Sequence, residues 1–113
     1  MGMIRSENNQ GDRPSPAQTR EEIMELLHSY RRELKQLGVG RISLFGSAAR
    51  GTLEPQSDVD MVVEFSEITY RRFVSLKAFL ESLLGRKVDL LTPDAVEGRL
   101  RAEIEKDLID VPT

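Results

Sequence analysis

Arg41-Ile-Ser-Leu-Phe-Gly-Ser-Ala-Ala-Arg-Gly51 and, after a short polar loop, Ser57-Asp-Val-Asp-Met-Val-Val-Glu64 are the stretch whose reading decides the fold. The first half predicts a strand from Ile42 to Phe45 that breaks at Gly46-Ser47 into a short helical turn ending at Gly51. The second half predicts another strand. Side chains alternate along a strand, so Asp58 and Asp60 share one side while Val59, Met61 and Val63 take the other. Two carboxylates so placed suit a divalent cation.

Working outward, Met1 to Pro14 is polar and aperiodic, and predicts a flexible tail to which no function is assigned. Residues 15–113 are expected to form one domain. Ser15-Pro16-Ala17-Gln18 carries helix-start chemistry: a serine cap, proline at the first helical position and glutamine three residues after the cap. The helix is expected to run to Leu37. Ile23, Leu26, Leu27, Tyr30, Leu34 and Leu37 make one apolar stripe, and Gly38 supplies a left-handed cap. His28 lies beside that stripe and reads as an ordinary, partly exposed helix residue.

Beyond the central stretch, Tyr70 to Leu84 predicts a second long helix with Phe73, Leu76, Leu80 and Leu83 on one face and Gly85 ending it. Arg86-Lys87 leads into a third strand, Val88 to Leu91, which places Asp89 within it, and Thr92-Pro93 stops it. A covering helix from Val96 to Ile109 follows, with Val96, Leu100, Ile104 and Leu108 inside. Glu97-Arg101-Glu105 and Arg99-Glu103-Asp107 form ladders outside. The order predicts an α/β (α+β) fold with a small mixed sheet of about three strands and helices packed on one face. The relative direction of the first two strands is open at this level.

A chain of 113 residues supports one modest core. It has no cysteine, which removes disulfide and thiolate–metal chemistry, and a single histidine leaves little for a zinc site, so any metal is expected to be oxygen-ligated. A net charge of −3 argues against general nucleic-acid binding. Neither a signal-peptide pattern nor a membrane-length apolar run is present, and a soluble cytoplasmic protein is expected.

Asp58, Asp60 and Asp89, if turned inward together, would need cations, raised pKa values that protonate them, or wider separation. Two carboxylates about 4 Å apart repel by roughly 4 kcal/mol at an effective dielectric near 20, against a total domain stability of about 5–15 kcal/mol. Magnesium is the natural relief, because it takes hard oxygen ligands and commonly binds through one or two carboxylates plus substrate phosphates. Gly46 permits close approach of the backbone to a ligand, and the opening amides and hydroxyl of the Ser47 turn offer donors to phosphate oxygens. A phosphate cradle beside a carboxylate metal site is the layout for phosphoryl or nucleotidyl transfer. The structural alternatives are that Asp58 caps a turn after Ser57, and that Asp60 and Asp89 pair with Arg50 or Arg41.

Gly46-Ser47-Ala48-Ala49-Arg50-Gly51, Ser57-Asp58-Val59-Asp60-Met61 and Val88-Asp89-Leu90 together resemble the signature of the DNA polymerase beta superfamily, and in particular its minimal nucleotidyltransferases (MNT). The resemblance covers roughly Thr19 to Leu108. It implies the polymerase-beta-like nucleotidyltransferase fold, two magnesium ions held by Asp58 and Asp60, and Asp89 completing the site and assisting deprotonation of the attacking hydroxyl. It also implies that Gly46 and Ser47 hold the nucleotide triphosphate, with ATP as substrate. No basic residue lies between Gly51 and Asp58, where some members carry one, so Arg50 is left to help magnesium neutralise the leaving group. Larger relatives follow this core with an acceptor-binding domain, and none is expected here. The acceptor is therefore expected on another chain. Many minimal members are partnered with a HEPN toxin and act as antitoxins by transferring AMP to a toxin tyrosine, and the same role is implied here. The alternatives of another class are a non-catalytic module that neutralises its partner by complex formation, and a nucleotide sensor.

Overall fold

The computed structural model describes residues 16–96 and 100–111. Helix α1, Arg20–Ser29, and helix α2, Arg31–Gln36, meet at Tyr30. Strand β1, Val39–Phe45, leads directly into helix α3, Gly46–Arg50. Strand β2, Val59–Phe65, precedes helix α4, Tyr70–Leu84, and strand β3, Val88–Leu91. A single 3-10 turn, Pro93–Val96, then helix α5, Leu100–Asp107, and a two-residue strand β4, Ile109–Asp110, complete the order. The sheet runs β3-β2-β1-β4. β2 is antiparallel to β1 and parallel to β3, while β4 is antiparallel to β1. Among the described residues no helix is long and apolar enough to cross a membrane. The expected tail, Met1 to Pro14, lies outside the described residues.

The three anticipated strands are present, and the α/β class holds. The fourth strand is an addition, attached where the Val111 amide donates to the Ile42 carbonyl and the Ser43 hydroxyl donates to Asp110. Helix α4 occupies the anticipated range, with Thr69 Oγ1 accepting from the Arg72 amide at its start and Gly85 in the left-handed region at its end.

The first helix differs from expectation. It begins at Arg20, not Pro16. Thr19 caps it by accepting from the Glu22 amide, and the Glu22 carboxylate accepts from the Gln18 amide in return. This reciprocal arrangement is a capping box shifted by one residue. Pro16 and Ala17 are drawn elsewhere: the Ala17 amide donates to the Leu84 carbonyl and its carbonyl accepts from Arg86, so tertiary partners take the backbone groups a helix would have used. At the other end the expected single helix breaks at Tyr30, whose φ of −104° and ψ of 24° separate α1 from α2.

The buried face of the sheet carries Ile42 and Leu44 of β1, Val59, Met61 and Val63 of β2, and Val88 and Leu90 of β3. Ile23 and Leu27 of α1, Leu34 of α2 and Leu76, Leu80 and Leu84 of α4 join the same core. Each such side chain contributes about 1.5–3 kcal/mol by leaving water. Strand alternation places Phe45, Ser43 and Arg41 on the opposite face with Asp60, Val62 and Glu64 and with Asp89 and Leu91. Part of that face is also covered. The Pro93–Val96 turn and α5 bring Pro93, Val96, Ile104 and Leu108 over Ser43 and Val62, around a cavity of about 330 Å³. Helices therefore pack on both faces, because the chain beyond Leu91 crosses over the sheet edge instead of joining α1 and α4.

Candidate active site

The site lies at the end of the second face that α5 leaves open. Antiparallel register sets Phe45 beside Asp60, and parallel register sets Asp60 beside Asp89, so one row across the sheet reads Phe45, Asp60, Asp89. The next row is Ser43, Val62, Leu91. Two of the three predicted aspartates are thus neighbours through strand pairing. Asp58 stands two residues before Asp60, just ahead of β2.

At the other side of the row, β1 turns into α3. Gly46 has φ +66°, and a Cβ built on it would collide with Asp60 Oδ2. The positive φ favours glycine here, and any Cβ would have to push the carboxylate aside. The close approach expected between this backbone and a ligand is, in the structure, an approach to the Asp60 carboxylate. Ala48 and Ala49 form the buried side of α3, and the Arg20 guanidinium donates to the Ala49 carbonyl at 2.7 Å, fixing this short helix against α1. Gly51, with φ +77°, closes the turn by donating to the Ser47 carbonyl.

Exposure corrects the reading of the aspartates as inward and buried. Asp60 is half-buried, whereas Asp58 and Asp89 are exposed. Asp58 precedes the strand, and Asp89 lies on the edge strand, where no further strand covers it. The electrostatic cost is visible at Asp60. Its pKa is raised from 3.8 to about 6, first by burial, then by the charges of Asp89 and Asp58, with Arg50 acting in the opposite direction.

Neither arginine proposed as a structural partner is bonded to these aspartates. Arg41 bonds Asp110 at 2.6 Å and approaches Glu64 at 3.8 Å. Those contacts raise the Arg41 pKa and, with the Ser43 hydroxyl, hold Asp110 below the usual carboxylate range. Arg50 donates to Asp107 Oδ2 of α5 at 2.8 Å. Its guanidinium, expected at a triphosphate, is therefore occupied by a carboxylate from the covering helix. Of the expected ladders on α5, Arg101 and Glu105 pair at 3.0 Å, Asp107 turns to Arg50, and Glu97, Arg99 and Glu103 lie outside the described side chains. His28 is exposed, as anticipated.

Among the described residues no group of three acidic or imidazole side chains forms a ready-made metal cage. The donor set nonetheless fits magnesium. Its groups are hard carboxylate oxygens, the charge on Asp60 is incompletely compensated, and magnesium customarily completes its shell with water and substrate oxygens.

Arg86 is the residue that the sequence reading passed over. It is only 9% exposed, and it donates to the carbonyls of Ala17, Glu54 and Ser57. The signal was present in the alternation: Arg86 has the same parity as Val88 and Leu90, both of which face the core.

The mixed sheet thus brings two strand aspartates side by side, with a glycine-entered helix against one of them. The chain matches the nucleotidyltransferase domain family over residues 27–111, and it belongs to that family. It is similar to the protein adenylyltransferase MntA of Thermococcus cleftensis, with 36% identity over 95 residues that span 82% of this chain and 96% of the relative. A candidate minimal nucleotidyltransferase of solved structure superposes with a TM-score of 0.63 at 34% identity, covering 80% of this chain and 95% of the other. A chain from the complex of tri-AMPylated Shewanella oneidensis HEPN toxin with its MNT antitoxin superposes with a TM-score of 0.56 at 19% identity, covering 79% and 71%, a likeness of fold alone.

Proposed function

We propose that this nucleotidyltransferase is a magnesium-dependent protein adenylyltransferase of the cytoplasm that moves AMP from ATP to a hydroxyl, a tyrosine, of a HEPN-type toxin and thereby acts as its antitoxin. The observation that carries the reading is the strand register that seats Asp89 beside Asp60 while Gly46 closes on Asp60 from the other side. Adenylyl transfer is supported by the similarity to MntA, and the partner class by the fold shared with the MNT antitoxin.

Asp58 and Asp60 would hold the metal, joined by Asp89, and Gly46, Ser47 and Arg50 would meet the triphosphate. When bound, magnesium supplies neutralisation of charge on the phosphates and the departing pyrophosphate. The protein's own residues do the rest. The α3 entry and Ser47 orient the phosphates at the end of the Phe45-Asp60-Asp89 row. The acceptor oxygen forms a bond to the α-phosphorus, the bond from that phosphorus to the bridging oxygen of pyrophosphate breaks, and Asp89 takes the hydroxyl proton. Being exposed, Asp89 is reachable by a hydroxyl presented from another chain. Arg50 reaches phosphate only by giving up Asp107, whose exposed partner makes that exchange inexpensive.

Incubation with labelled ATP, magnesium and the co-purified partner is expected to label the partner, and Asp60→Asn is expected to abolish labelling. Labelling that persists in Asp60→Asn would sink the assignment. A second reading, neutralisation by covering the partner's surface, is favoured by Ile68, Tyr70 and Val74, which are 55%, 85% and 46% exposed around the start of α4. The Asp58→Asn/Asp60→Asn double variant separates the two. Neutralisation retained in cells supports covering, and neutralisation lost from an intact complex supports catalysis.

A further inference from the structure

Arg86 stands outside the three motifs and touches none of the proposed reacting groups, yet its hydrogen bonds converge on the segment that delivers Asp58. We propose that Arg86 is the positioning residue for Asp58: its buried guanidinium fixes the Glu54–Ser57 turn and so sets where the Asp58 carboxylate meets the metal. The inference rests on the proposed nucleotidyl transfer.

Among the described residues, no side chain is bonded to the Asp58 carboxylate. Asp58 is exposed and lies ahead of the first residue of β2. On its C-terminal side the chain is anchored at once, because the Val59 amide donates to the Lys87 carbonyl at 2.9 Å. On its N-terminal side lies a turn in which the Ser57 amide donates to the Glu54 carbonyl and the Ser57 hydroxyl accepts from the Glu54 amide, both at 3.0 Å. Arg86 Nη1 donates to both the Glu54 and Ser57 carbonyls at 2.8 Å, closing the turn from beneath. The same side chain donates through Nε to the Ala17 carbonyl, so the turn is referred to the segment before α1 as well as to the start of β3.

Arginine suits the task. Its planar fork presents several donors in fixed directions, so one side chain can hold three carbonyls at once, where a lysine ammonium on a flexible stem cannot reproduce the geometry. Placing a cation at 9% exposure against carbonyl oxygens is costly unless those bonds are satisfied, which makes the arrangement stiff. Asp60 is already fixed by strand pairing and by Gly46. The distance between two ligands of one metal then depends on the turn before Asp58, and that turn depends on Arg86.

The test compares wild type, Arg86→Lys, Arg86→Met and, as a control for lost stability away from the turn, Leu80→Ala. Three quantities are read: amide hydrogen exchange at Ser57 and Val59 in metal-free protein, the magnesium concentration giving half of the ATP-dependent thermal shift, and kcat for labelling of the co-purified partner. For Arg86→Met the expected results are faster exchange at Ser57, a magnesium requirement raised about tenfold or more, and kcat lowered by about 10–100-fold, the scale of a misplacement near 1 Å. Arg86→Lys should fall between it and wild type. Leu80→Ala should lose thermal stability without changing the magnesium requirement. A folded Arg86→Met with exchange, magnesium requirement and kcat all within about twofold of wild type overturns the role. Should Arg86→Met not fold, Arg86→Lys decides: a wild-type magnesium requirement in that variant equally overturns it. Wild type that neither shifts with ATP and magnesium nor labels the partner overturns the proposed function instead, and the exchange measurement still reports whether Arg86 holds the turn.

Discussion

At Gly46 the backbone passes so near the Asp60 carboxylate that an added methyl group would displace it. Gly46→Ala must move either α3 or Asp60, and it also places a side chain at φ +66°. The expected result is a loss of about 1–2 kcal/mol in chemical denaturation, with magnesium-dependent ATP binding lost in calorimetry. Asp60 itself is held in a setting that disfavours its charge. Its folded pKa of about 6 exceeds the ordinary 3.8, so protonation favours the folded state. That contribution is fully present below about pH 4 and is lost as pH rises through about 6. The full difference corresponds to about 3 kcal/mol in a sealed site, and solvent at this half-buried group reduces it to about 1–2 kcal/mol. Metal-free Asp60→Asn should therefore be more stable than wild type by that amount near pH 7, with the gap closing below about pH 4. Urea denaturation across pH checks it, and equal stability at all pH values would show that Asp60 is not electrostatically frustrated.

At the scale of elements, a bond from Arg50 to Asp107 at 2.8 Å joins α5 to the site. Both partners have solvent access, so the pair is worth about 0.2–1 kcal/mol. Asp107→Asn should barely change the melting temperature while releasing Arg50 and tightening ATP binding severalfold, whereas Arg50→Ala should weaken it; calorimetry on both variants distinguishes them from wild type. The first helix offers a separate check on its boundary. With Thr19 capping α1, Thr19→Ala is expected to cost about 1 kcal/mol in denaturation. The Thr19-Arg20-Glu21-Glu22 box was legible in the sequence. The Ser15-Pro16 signal outweighed it because local capping rules carry no information about Ala17, whose backbone groups are taken by Leu84 and Arg86.

Across the whole molecule, one face of the sheet is core and the other is divided between a site and a covering helix. Ligand binding to the folded state alone should stabilise it by about 2.7 kcal/mol at a hundredfold excess of ATP with magnesium over the dissociation constant, seen as a rise in melting temperature that Asp58→Asn removes. The sequence by itself determined the parts that depend on local pattern. Alternation put Val59, Met61 and Val63 in the core, Tyr70 to Leu84 was a helix by spacing and caps, and the spaced Gly-Ser, Asp58, Asp60 and Asp89 signals marked the candidate site. Only the tertiary structure decided how those parts meet. Register, which no local pattern encodes across distant strands, seated Asp89 against Asp60; edge position left Asp89 exposed, as its place ahead of β2 left Asp58; and the crossing of α5 to the second face committed Arg50 to Asp107. Arg86 makes the same point most sharply. Its parity marked it as inward, but a buried cation is interpretable only once the carbonyls of Ala17, Glu54 and Ser57, brought from two distant segments, are seen to surround it.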